Sequence, residues 1–364
     1  MKPERCKDPS RLFVGLDVMW WCMVAFSIVC KATDDPVKKA PDMRPILCGW
    51  LAALLGTPAP GYVAAFIDCR VPTWRHIETR HLPREQQYKA GRTPRPPEFY
   101  AEVDSFIAIL RLHRIPCYSA PGWEADDVAA TVVRELAGRV DVALVTLDHD
   151  WRALTRDAAP GVGAVYCWSY GRAEPTEIGP AEVLADKGLG VAPGLVSHMI
   201  ALCGDGDNIK GVRGLGPTKA RVVLARWRSV QGVLAAPAGD VAALDAAVEA
   251  SRKAADKTAR ELGKQQGGEI DEDLLERHAT VTGALAAARL DRDAEKYRAA
   301  IVAEREAVEL GLVLATLDAY APLSPPFDLD ACAVGGFDVP ALVALYQRLG
   351  FTVMAGEVSA SNAA

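Results

Sequence analysis

Short apolar runs and longer amphipathic segments alternate along the first half of this 364-residue chain. Continuous apolar runs predict buried strands at 12–16, 62–67, 142–147 and 163–168. Between them, apolar positions recur at helical spacing, most clearly in 98–112 and 124–136. Strands that alternate with helices predict an α/β fold with a mostly parallel sheet and helices on its faces.

Three of the predicted strands run directly into an acidic residue. Asp17, Asp68 and Asp148 follow the runs that end at Leu16, Ile67 and Leu147. In open α/β sheets, ligands bind outside the carboxyl ends of the strands. We therefore expect these three carboxylates to converge on one site.

The N-terminus carries basic residues followed by the apolar run 12–30, a pattern that resembles a signal peptide. Asp17 inside the run is costly in a membrane, and no small-x-small cleavage site follows, so a strand that leads into a helix is the better interpretation. The nine cysteines form no C-x2-C pair, which argues against a zinc site, and their odd number argues against a disulfide framework. Reduced thiols in a cytosol are expected.

Two domains are predicted, 1–198 and 199–364. After residue 200 the pattern changes to small helices joined by glycine turns. Residues 235–309 are Ala-rich and charged, which predicts exposed helices with a flexible loop near 265–268, whereas 312–351 is predicted to pack back on the structure. The net charge of −6 conceals an asymmetry, since residues 1–239 carry +3 and 240–364 carry −9. The acidic total therefore does not exclude a nucleic-acid partner.

Nine acidic residues fall at the ends of predicted elements: Asp17, Asp68, Glu124, Asp126, Asp127, Asp148, Asp150, Asp205 and Asp207. Each group alone has a structural explanation, because acids favour the first turn of a helix and Asp favours turns. Together they would repel one another without cations. Oxygen ligands in this number suit Mg²⁺ or Mn²⁺, and two such ions can activate water and stabilise a phosphoryl leaving oxygen.

Two basic segments accompany the acids. The first, 70–97, contains Arg70, Arg75, Arg80, Arg84, Lys89, Arg92 and Arg95 and is either a solvated loop or a phosphate-binding one. The second, 209–228, lacks acids and includes the glycine hairpin Gly214-Leu215-Gly216, whose N–H groups suit a DNA phosphate. A P-loop is excluded because Pro217-Thr218-Lys219 follows in place of Lys-Ser/Thr.

These motifs, in this order, resemble the 5′-nuclease family: flap endonucleases, phage 5′–3′ exonucleases and the N-terminal nuclease domain of bacterial DNA polymerase I. The resemblance runs from about Leu12 to Ala225 and rests on "AFIDCRVPTWRHIETRHLPREQQYKAGR", "IPCYSAPGWEADDVAA", "VTLDHDWRAL" and "ALCGDGDNIKGVRGLGPTKA". The segment "LVLATLDAYAPL" and the later "LVALYQRLGF" resemble the family's C-terminal part more weakly.

The resemblance implies a PIN-like nuclease domain with a helical arch at about 70–97, followed by a helix-hairpin-helix and a helical C-terminal domain. It implies a first metal site of Asp17, Asp68, Glu124 and Asp126, with Asp127 as ligand or just outside, and a second of Asp148, Asp150, Asp205 and Asp207. The family usually has two residues between the last two acids, whereas Gly206 alone separates Asp205 from Asp207 here. A positive φ at Gly206 is expected to compensate.

Lys89 and Arg92 are three residues apart and share a face if the segment 70–97 is helical there. By the same resemblance, they act on the scissile phosphate. Tyr88 either stacks on a base or packs, and the other implied DNA contacts are Arg75, Arg213, Gly214, Gly216 and Lys219. Mg²⁺ is the implied cofactor, with Mn²⁺ as substitute and K⁺ at the helix-hairpin-helix. The implied partners are DNA with 5′ ends or flaps and replication proteins, for a monomer in the cytoplasm of a bacterial or phage-infected cell, with no membrane.

The implied activity is a two-metal-ion 5′–3′ exonuclease or flap endonuclease. One alternative is a PIN-like ribonuclease, against which the helix-hairpin-helix argues, since that element suits duplex DNA. The other is a non-catalytic helix-hairpin-helix DNA-binding protein, against which the full set of acids argues.

Overall fold

The computed structural model describes residues 4–29, 43–56, 58–136, 138–170, 175–264, 271–348 and 351. The chain forms two compact units: Met1–Asp186, Ala192–Val196 and Thr316–Ala364 make up the first, and Lys187–Val191 and Ser197–Ala315 the second. The predicted boundary at 198 lies one residue from Ser197, where the main segment of the second unit begins. The assignment of all of 199–364 to the second domain is wrong, because Leu342 and Tyr346 are buried in the core of the first unit.

A six-stranded sheet forms the centre of the first unit, in the order β3-β2-β1-β4-β5-β6. Its strands are β1 (Leu12–Asp17), β2 (Tyr62–Phe66), β3 (Cys117–Tyr118), β4 (Asp141–Val145), β5 (Val165–Trp168) and β6 (Glu177–Ile178). All neighbours pair in parallel except β6, which pairs antiparallel with β5. The mostly parallel α/β sheet is confirmed, and the two-residue strands β3 and β6 are those that the apolar pattern did not predict.

Helices surround the sheet and build the second unit. They are α1 (Val18–Val29), α2 (Met43–Leu55), α3 (Trp74–Thr79), α4 (Pro97–Leu112), α5 (Ala125–Glu135), α6 (Pro180–Ala185), α7 (Val196–Cys203), α8 (Pro217–Trp227), α9 (Val230–Ala235), α10 (Val241–Gly263), α11 (Glu272–Ala303), α12 (Arg305–Ala315) and α13 (Val339–Arg348). The apolar run after the N-terminus is thus strand β1 and helix α1, as predicted. No described helix is long and apolar enough to cross a membrane.

Strand β1 shows why the sheet needs layers on both faces. Its residues alternate between two hydrophobic clusters, with Val14 and Leu16 in one and Phe13 in the other. The first cluster includes residues of α1, α2 and α4, and the second includes the apolar face of α5. At Gly15 a Cβ would lie 2.4 Å from the Phe66 ring, so only glycine fits there. These contacts fix the strand ends that carry the acids.

Helices α7 to α12 make up most of the second unit, and α10 packs along α11. Most side chains of these two long helices are exposed or half-buried, as predicted for residues 235–309. Thr258 of α10 is hydrogen-bonded to His278 of α11 at 2.7 Å. The flexible loop predicted near 265–268 lies outside the described residues.

His113, just after α4, gives the first unit a pH-dependent stability. Its Nε2 lies 3.0 Å from the Tyr346 hydroxyl, and its Nδ1 is buried without a hydrogen-bond partner among the described residues. Burial lowers the pKa of His113 to about 4. The unfolded chain therefore takes up this proton first as the pH falls below about 6.5, and folding loses about 2 kcal/mol by pH 4.5.

We expect His113→Gln to remove this part of the acid destabilisation. The measurement is the free energy of unfolding in urea at pH 7 and 4.5 for the parent and for His113→Gln. The parent should lose about 2 kcal/mol more than the variant between the two pH values. Equal losses in both proteins would show that His113 does not contribute.

Candidate functional site

The carboxyl edge of the sheet brings the ends of β1 and β4 together. Asp17 closes β1 and is buried, and it accepts hydrogen bonds from the Trp20 amide at 2.9 Å and the Thr146 hydroxyl at 3.0 Å. The Asp148 amide donates to the same hydroxyl at 3.1 Å. Thr146 therefore ties Asp17 to the exposed Asp148, and the Asp150 amide points back to the Asp148 carboxylate at 3.5 Å.

The second part of the site is the N-terminus of α5. Asp68, two residues beyond β2, accepts a hydrogen bond from the Ala125 amide at 2.8 Å. A carboxylate in this place is stabilised by the free N–H groups and the positive end of the helix dipole. Gly122 has φ +88 and permits the turn that sets Glu124 just before the helix. Asp68, Glu124 and Asp126 are thereby held beside the strand ends.

Glu124 is nearly buried and is held by three donors. Lys89 Nζ lies 2.6 Å from its Oε1, the Tyr88 hydroxyl donates to Oε2 at 2.9 Å, and Arg75 Nη1 lies 3.2 Å from Oε2. Although burial acts to raise the pKa of Glu124, Lys89 and Arg75 hold it below its ordinary value. Glu124 is therefore an ionised ligand candidate already paired with cations of its own chain.

Asp127 forms a closed ion pair with Arg75. Arg75 reaches both carboxylate oxygens, at 2.7 and 2.9 Å, and both side chains are buried. Asp127 also accepts from the Trp74 indole and from the Glu124 and Asp318 amides. Both of its oxygens therefore have partners, which favours the alternative that Asp127 lies just outside the metal site over direct ligation. Arg75 is too deeply buried for the DNA contact that was expected.

Burial and mutual repulsion mark the remaining carboxylates. Burial raises the pKa of Asp17 to about 7, with Asp68 and Asp148 adding to the shift. Burial also raises the pKa of Asp68, and that of Asp126 rises well above its ordinary value because of burial and the nearby Asp127 and Glu124. The negative charge of these carboxylates is unfavourable at their positions. A divalent cation would stabilise it and would find oxygen ligands in the same groups.

The donor set fits a hard divalent ion, although its arrangement is not a finished coordination shell. Among the described residues, no three His, Cys, Asp or Glu side chains converge as they stand on one metal position. Lys89 and Arg75 take up part of the coordinating capacity of Glu124. A bound ion would have to share Glu124 with these cations or displace Lys89 from it.

The basic segment 70–97, expected as a helical arch, is helical only in part. It contains α3, a 3-10 turn at Arg84–Gln86 and a turn around Lys89, which has φ +57. Lys89 and Arg92 therefore do not share a helical face, although the Arg92 amide donates to the Lys89 carbonyl at 3.0 Å. Lys89 lies against Glu124, and Arg92 is exposed and close enough to Asp68 to lower its pKa.

For Tyr88, the structure favours packing over stacking on a base. It is 4% exposed, and its ring packs against His76 while its hydroxyl is bonded to Glu124. A ring this deeply buried is not available to stack on a base, so the packing alternative holds.

The second unit carries Asp205 and Asp207 in a tight turn after α7. Asp205 Oδ1 accepts from the Asp207 amide at 2.8 Å and the Ile209 amide at 3.3 Å. Gly206 does not have the expected positive φ; Gly204 (φ +77) and Asn208 (φ +65) make the turn. The shortened spacing is thus absorbed on either side of Gly206. That these acids complete a second metal site stays a prediction.

The predicted hairpin leads into α8 with its glycines exposed. Gly214 has φ +77 and Gly216 caps α8, and Arg213 and Lys219 are exposed beside them. Lys219 Nζ donates to the Gly214 carbonyl at 2.8 Å, which braces the hairpin. A Cβ on Gly211 would lie 2.2 Å from the Cys203 carbonyl carbon, so this glycine permits the hairpin to approach α7 closely.

Sequence patterns did not single out Thr146, which bonds to Asp17 and Asp148, or Asp318, whose amide bonds to Asp127. Thr146 could have been noticed because it directly precedes the end of an apolar run that leads to Asp148. Asp318 lies in the segment that resembles the family's C-terminal part, but its contact with Asp127 spans 191 residues and leaves no local pattern.

Comparison with known proteins agrees with this architecture. The family model described as 5′-3′ exonuclease, N-terminal resolvase-like domain, matches residues 45–188, which contain Asp68, Glu124, Asp126 and Asp148. Over these residues the match supports a 5′-nuclease family for this chain. DNA polymerase I of Chloroflexus aurantiacus is 28% identical over 269 residues, covering 73% of this chain and 22% of that protein. DNA polymerase I of Bacillus caldotenax is 31% identical over 189 residues, covering 51% and 20%.

The chain thus spans about a fifth of the length of these curated relatives. Among solved 5′-nuclease-like structures, the phage T5 D15 protein co-crystallised with metal ions superposes with a TM-score of 0.55 at 17% identity, covering 96% of this chain and 99% of that one. The T5 D15 flap endonuclease in a complex with DNA and metal ions gives 0.53 at 17%, with the same coverage. At this identity the likeness establishes the fold.

Proposed function

We propose that this chain is a 5′-nuclease, a structure-specific 5′–3′ exonuclease or flap endonuclease that hydrolyses DNA phosphodiester bonds with Mg²⁺. The observation that carries the proposal is the group of repelling carboxylates, Asp17, Asp68, Glu124 and Asp126, at the carboxyl edge of the sheet with Lys89 among them. The related T5 D15 structures contain metal ions, and one of them contains DNA as well, which supports the proposal.

Each group has a distinct task in this proposal. Asp17, Asp68, Glu124 and Asp126 hold the first ion, and Asp148 and Asp150, with Asp205 and Asp207, are proposed for a second. Bound divalent ions activate water and stabilise charge on the phosphate. Lys89 and Arg92 contribute positive charge where the scissile phosphate gains negative charge. Asp127 and Arg75 hold the N-terminus of α5 in place.

Duplex binding is assigned to the hairpin of the second unit. The exposed N–H groups of Gly214 and Gly216 and the cations of Arg213 and Lys219 suit a phosphate backbone without regard to base sequence. K⁺ at the hairpin carbonyls, replication proteins as partners, a monomeric state and a bacterial or phage-infected cytoplasm belong to the same proposal.

A panel of labelled substrates tests the function. With Mg²⁺, we expect cleavage of a 5′ flap or a nicked duplex to leave a 5′-phosphate, with single-stranded RNA cut far more slowly. Preferential cleavage of the RNA would favour a PIN-like ribonuclease. Tight duplex binding without cleavage would favour a non-catalytic DNA-binding protein.

Lys89→Ala is expected to lower the single-turnover cleavage rate about 10- to 100-fold while changing DNA affinity less than about threefold, because Lys89 acts on charge that develops in the transition state. The measurement is single-turnover cleavage together with fluorescence anisotropy. Arg80→Ala is the matched control, since Arg80 is an exposed cation of the same segment. Weaker binding at an unchanged rate would reduce Lys89 to a phosphate tether.

Asp207→Ala is expected to cost much less activity than Asp205→Ala, because the carboxylate of Asp205 organises the turn by accepting two amides. Insertion of one residue after Gly206 should lower the Mg²⁺ concentration needed for half-maximal cleavage. Mg²⁺ titrations of the four proteins measure this. Equal and severe losses in both alanine variants, with no gain from the insertion, would make Asp207 a full ligand.

A further inference from the structure

A C-terminal strap, defined as residues 316–321, lies against the buried pair of Asp127 and Arg75. The Asp318 amide donates to Asp127 Oδ1 at 2.9 Å, and Arg75 Nη2 reaches the Thr316 carbonyl at 3.4 Å. Both members of the ion pair therefore have a partner on the strap. This segment lies outside residues 45–188, the range of the family match.

Further bonds hold the strap in register on α5. Trp123 Nε1 donates to Asp318 Oδ2 at 2.8 Å, and the Tyr320 amide donates to Oδ1 at 2.8 Å. The Ala321 amide donates to the Thr131 hydroxyl at 3.0 Å, which in turn donates to the Asp127 carbonyl at 2.9 Å. The strap is thus fastened on either side of the N–H group that it presents to Asp127.

Arg75 carries the effect of the strap toward the cleavage site. Its Nη1 lies 2.7 Å from Asp127, 3.2 Å from Glu124 and 3.6 Å from Asp126. A guanidinium fixed by Asp127 can therefore hold two neighbouring carboxylates at a set separation. Groups that orient metal ligands without touching the ion commonly change metal affinity about 10- to 100-fold when removed.

We propose that the strap is a positioning element of the cleavage site, in which Asp318 acts through Asp127 and Arg75 to place Glu124 and Asp126 for a divalent ion. This inference rests on the proposed metal-dependent function. Asp318 is a positioning residue, since its carboxylate is engaged by Trp123 and Tyr320.

The test measures metal binding directly, by Mn²⁺ titration of the DNA-free protein in a calorimeter, alongside single-turnover cleavage. Asp318→Ala should weaken Mn²⁺ binding about tenfold and lower the cleavage rate about tenfold, with DNA affinity within about twofold of the parent. Asp318→Asn keeps an acceptor for Trp123 and should restore most of both. Tyr320→Ala is the matched control, because the Tyr320 side chain of the strap is exposed and packs on Arg134 of α5, while its amide is kept.

A second pair guards against misfolding of Asp318→Ala. Thr131→Val removes the acceptor of the Ala321 amide and should behave like Asp318→Ala, whereas Thr131→Ser should behave like the parent. Parental Mn²⁺ affinity in both Asp318→Ala and Thr131→Val would overturn the inference. Absence of Mn²⁺ binding in the parent would instead overturn the proposed function on which it rests.

In the Ala-rich, charged segment 235–309, helix α11 packs along α8. Asp291 pairs with Arg226 at 2.5 Å, and the Tyr297 ring lies 5.5 Å from Lys219 Nζ. Glu304, which follows α11, accepts a hydrogen bond from the Arg213 amide of the hairpin at 3.3 Å. Asp291 and Tyr297 on this helix and Glu304 just after it therefore engage two cations and an N–H group of the basic segment 209–228, whose hairpin is proposed to bind DNA.

We infer that helix α11 and Glu304 form an internal competitor of DNA at the hairpin. Phosphates must displace Glu304 from the Arg213 amide and Asp291 from Arg226 to use these groups. This inference also rests on the proposed DNA binding. An acidic side chain that holds a basic surface in this way weakens binding most at low ionic strength.

The test is duplex affinity by fluorescence anisotropy across a salt series, with EDTA present. The double variant Asp291→Asn, Glu304→Gln should bind about three- to tenfold more tightly than the parent at low salt. The control Glu249→Gln, Glu309→Gln makes the same change in net charge at acids that pair with Arg252 and Arg305. Equal gains in both double variants would reduce the effect to net charge and overturn the inference, whereas no binding by the parent would overturn the proposed function.

Discussion

Asp126→Asn is expected to lower the single-turnover rate of DNA cleavage by about a thousandfold, equivalent to about 4 kcal/mol in the activation barrier. Asp126 is a half-buried carboxylate whose pKa is raised by burial and by the nearby Asp127 and Glu124, so its negative charge is unfavourable at this position. Asn keeps the acceptor for the Asp127 amide, so the fold is preserved while a charged ligand is lost. DNA affinity should stay equal or rise, because a negative charge near the phosphate is removed. Asp68→Ala should have the same effect.

The thermal midpoint of unfolding distinguishes the loss of a metal ligand in Asp126→Asn from a loss of the fold. Because the Asp126 carboxylate is raised in free energy where it lies, its neutral replacement should leave the thermal midpoint unchanged or higher. Glu135→Gln on the same helix is the control, since Glu135 is exposed and pairs with Arg134. Cleavage by Asp126→Asn at the parental rate would remove Asp126 from the metal site.

Arg75→Met is expected to lower the free energy of unfolding by about 3 to 5 kcal/mol, the usual cost of leaving one partner of a buried ion pair without its counter-charge. Asp127 is fully buried, and Arg75 donates to both of its oxygens, at 2.7 and 2.9 Å. Urea denaturation of the parent and the variant measures the loss. The effect on cleavage should follow, since Arg75 also holds Glu124.

A double variant shows that the pair itself is responsible. Arg75→Met combined with Asp127→Leu removes both charges and should recover part of the lost stability. Arg70→Ala should change stability by less than about 0.5 kcal/mol, because Arg70 and its partner Asp104 are exposed. A loss in Arg75→Met no larger than in Arg70→Ala would contradict the closed ion pair.

The sheet and its acidic edge could be predicted from the sequence because both depend on short-range patterns. Continuous apolar runs at β1, β2, β4 and β5 reflect strands buried on both faces. Asp17, Asp68 and Asp148 follow such runs, and parallel strands place their carboxyl ends on one edge. Register along the chain was therefore enough to bring these residues together.

The roles of the basic and network residues could not be predicted in this way. Arg75 and Tyr88 lie in a polar segment that the sequence pattern predicts to be exposed. They are buried because Arg75 contacts Asp127, 52 residues later, and Tyr88 contacts Glu124, 36 residues later. The strap contact of Asp318 is longer still. In the turn after α7, the positive φ values occur at Gly204 and Asn208 and not at Gly206, where one was expected. Such choices are made by tertiary packing, which local patterns do not record.

The most direct test of the central claim is cleavage of a 5′-labelled flap duplex by the purified protein with Mg²⁺, with EDTA, and with Mg²⁺ restored. The account predicts cleavage near the base of the flap with Mg²⁺, none with EDTA and full recovery when Mg²⁺ returns. Cleavage that persists in EDTA, or no cleavage of the flap under any of the three conditions, would contradict a carboxylate-held metal as the basis of the activity.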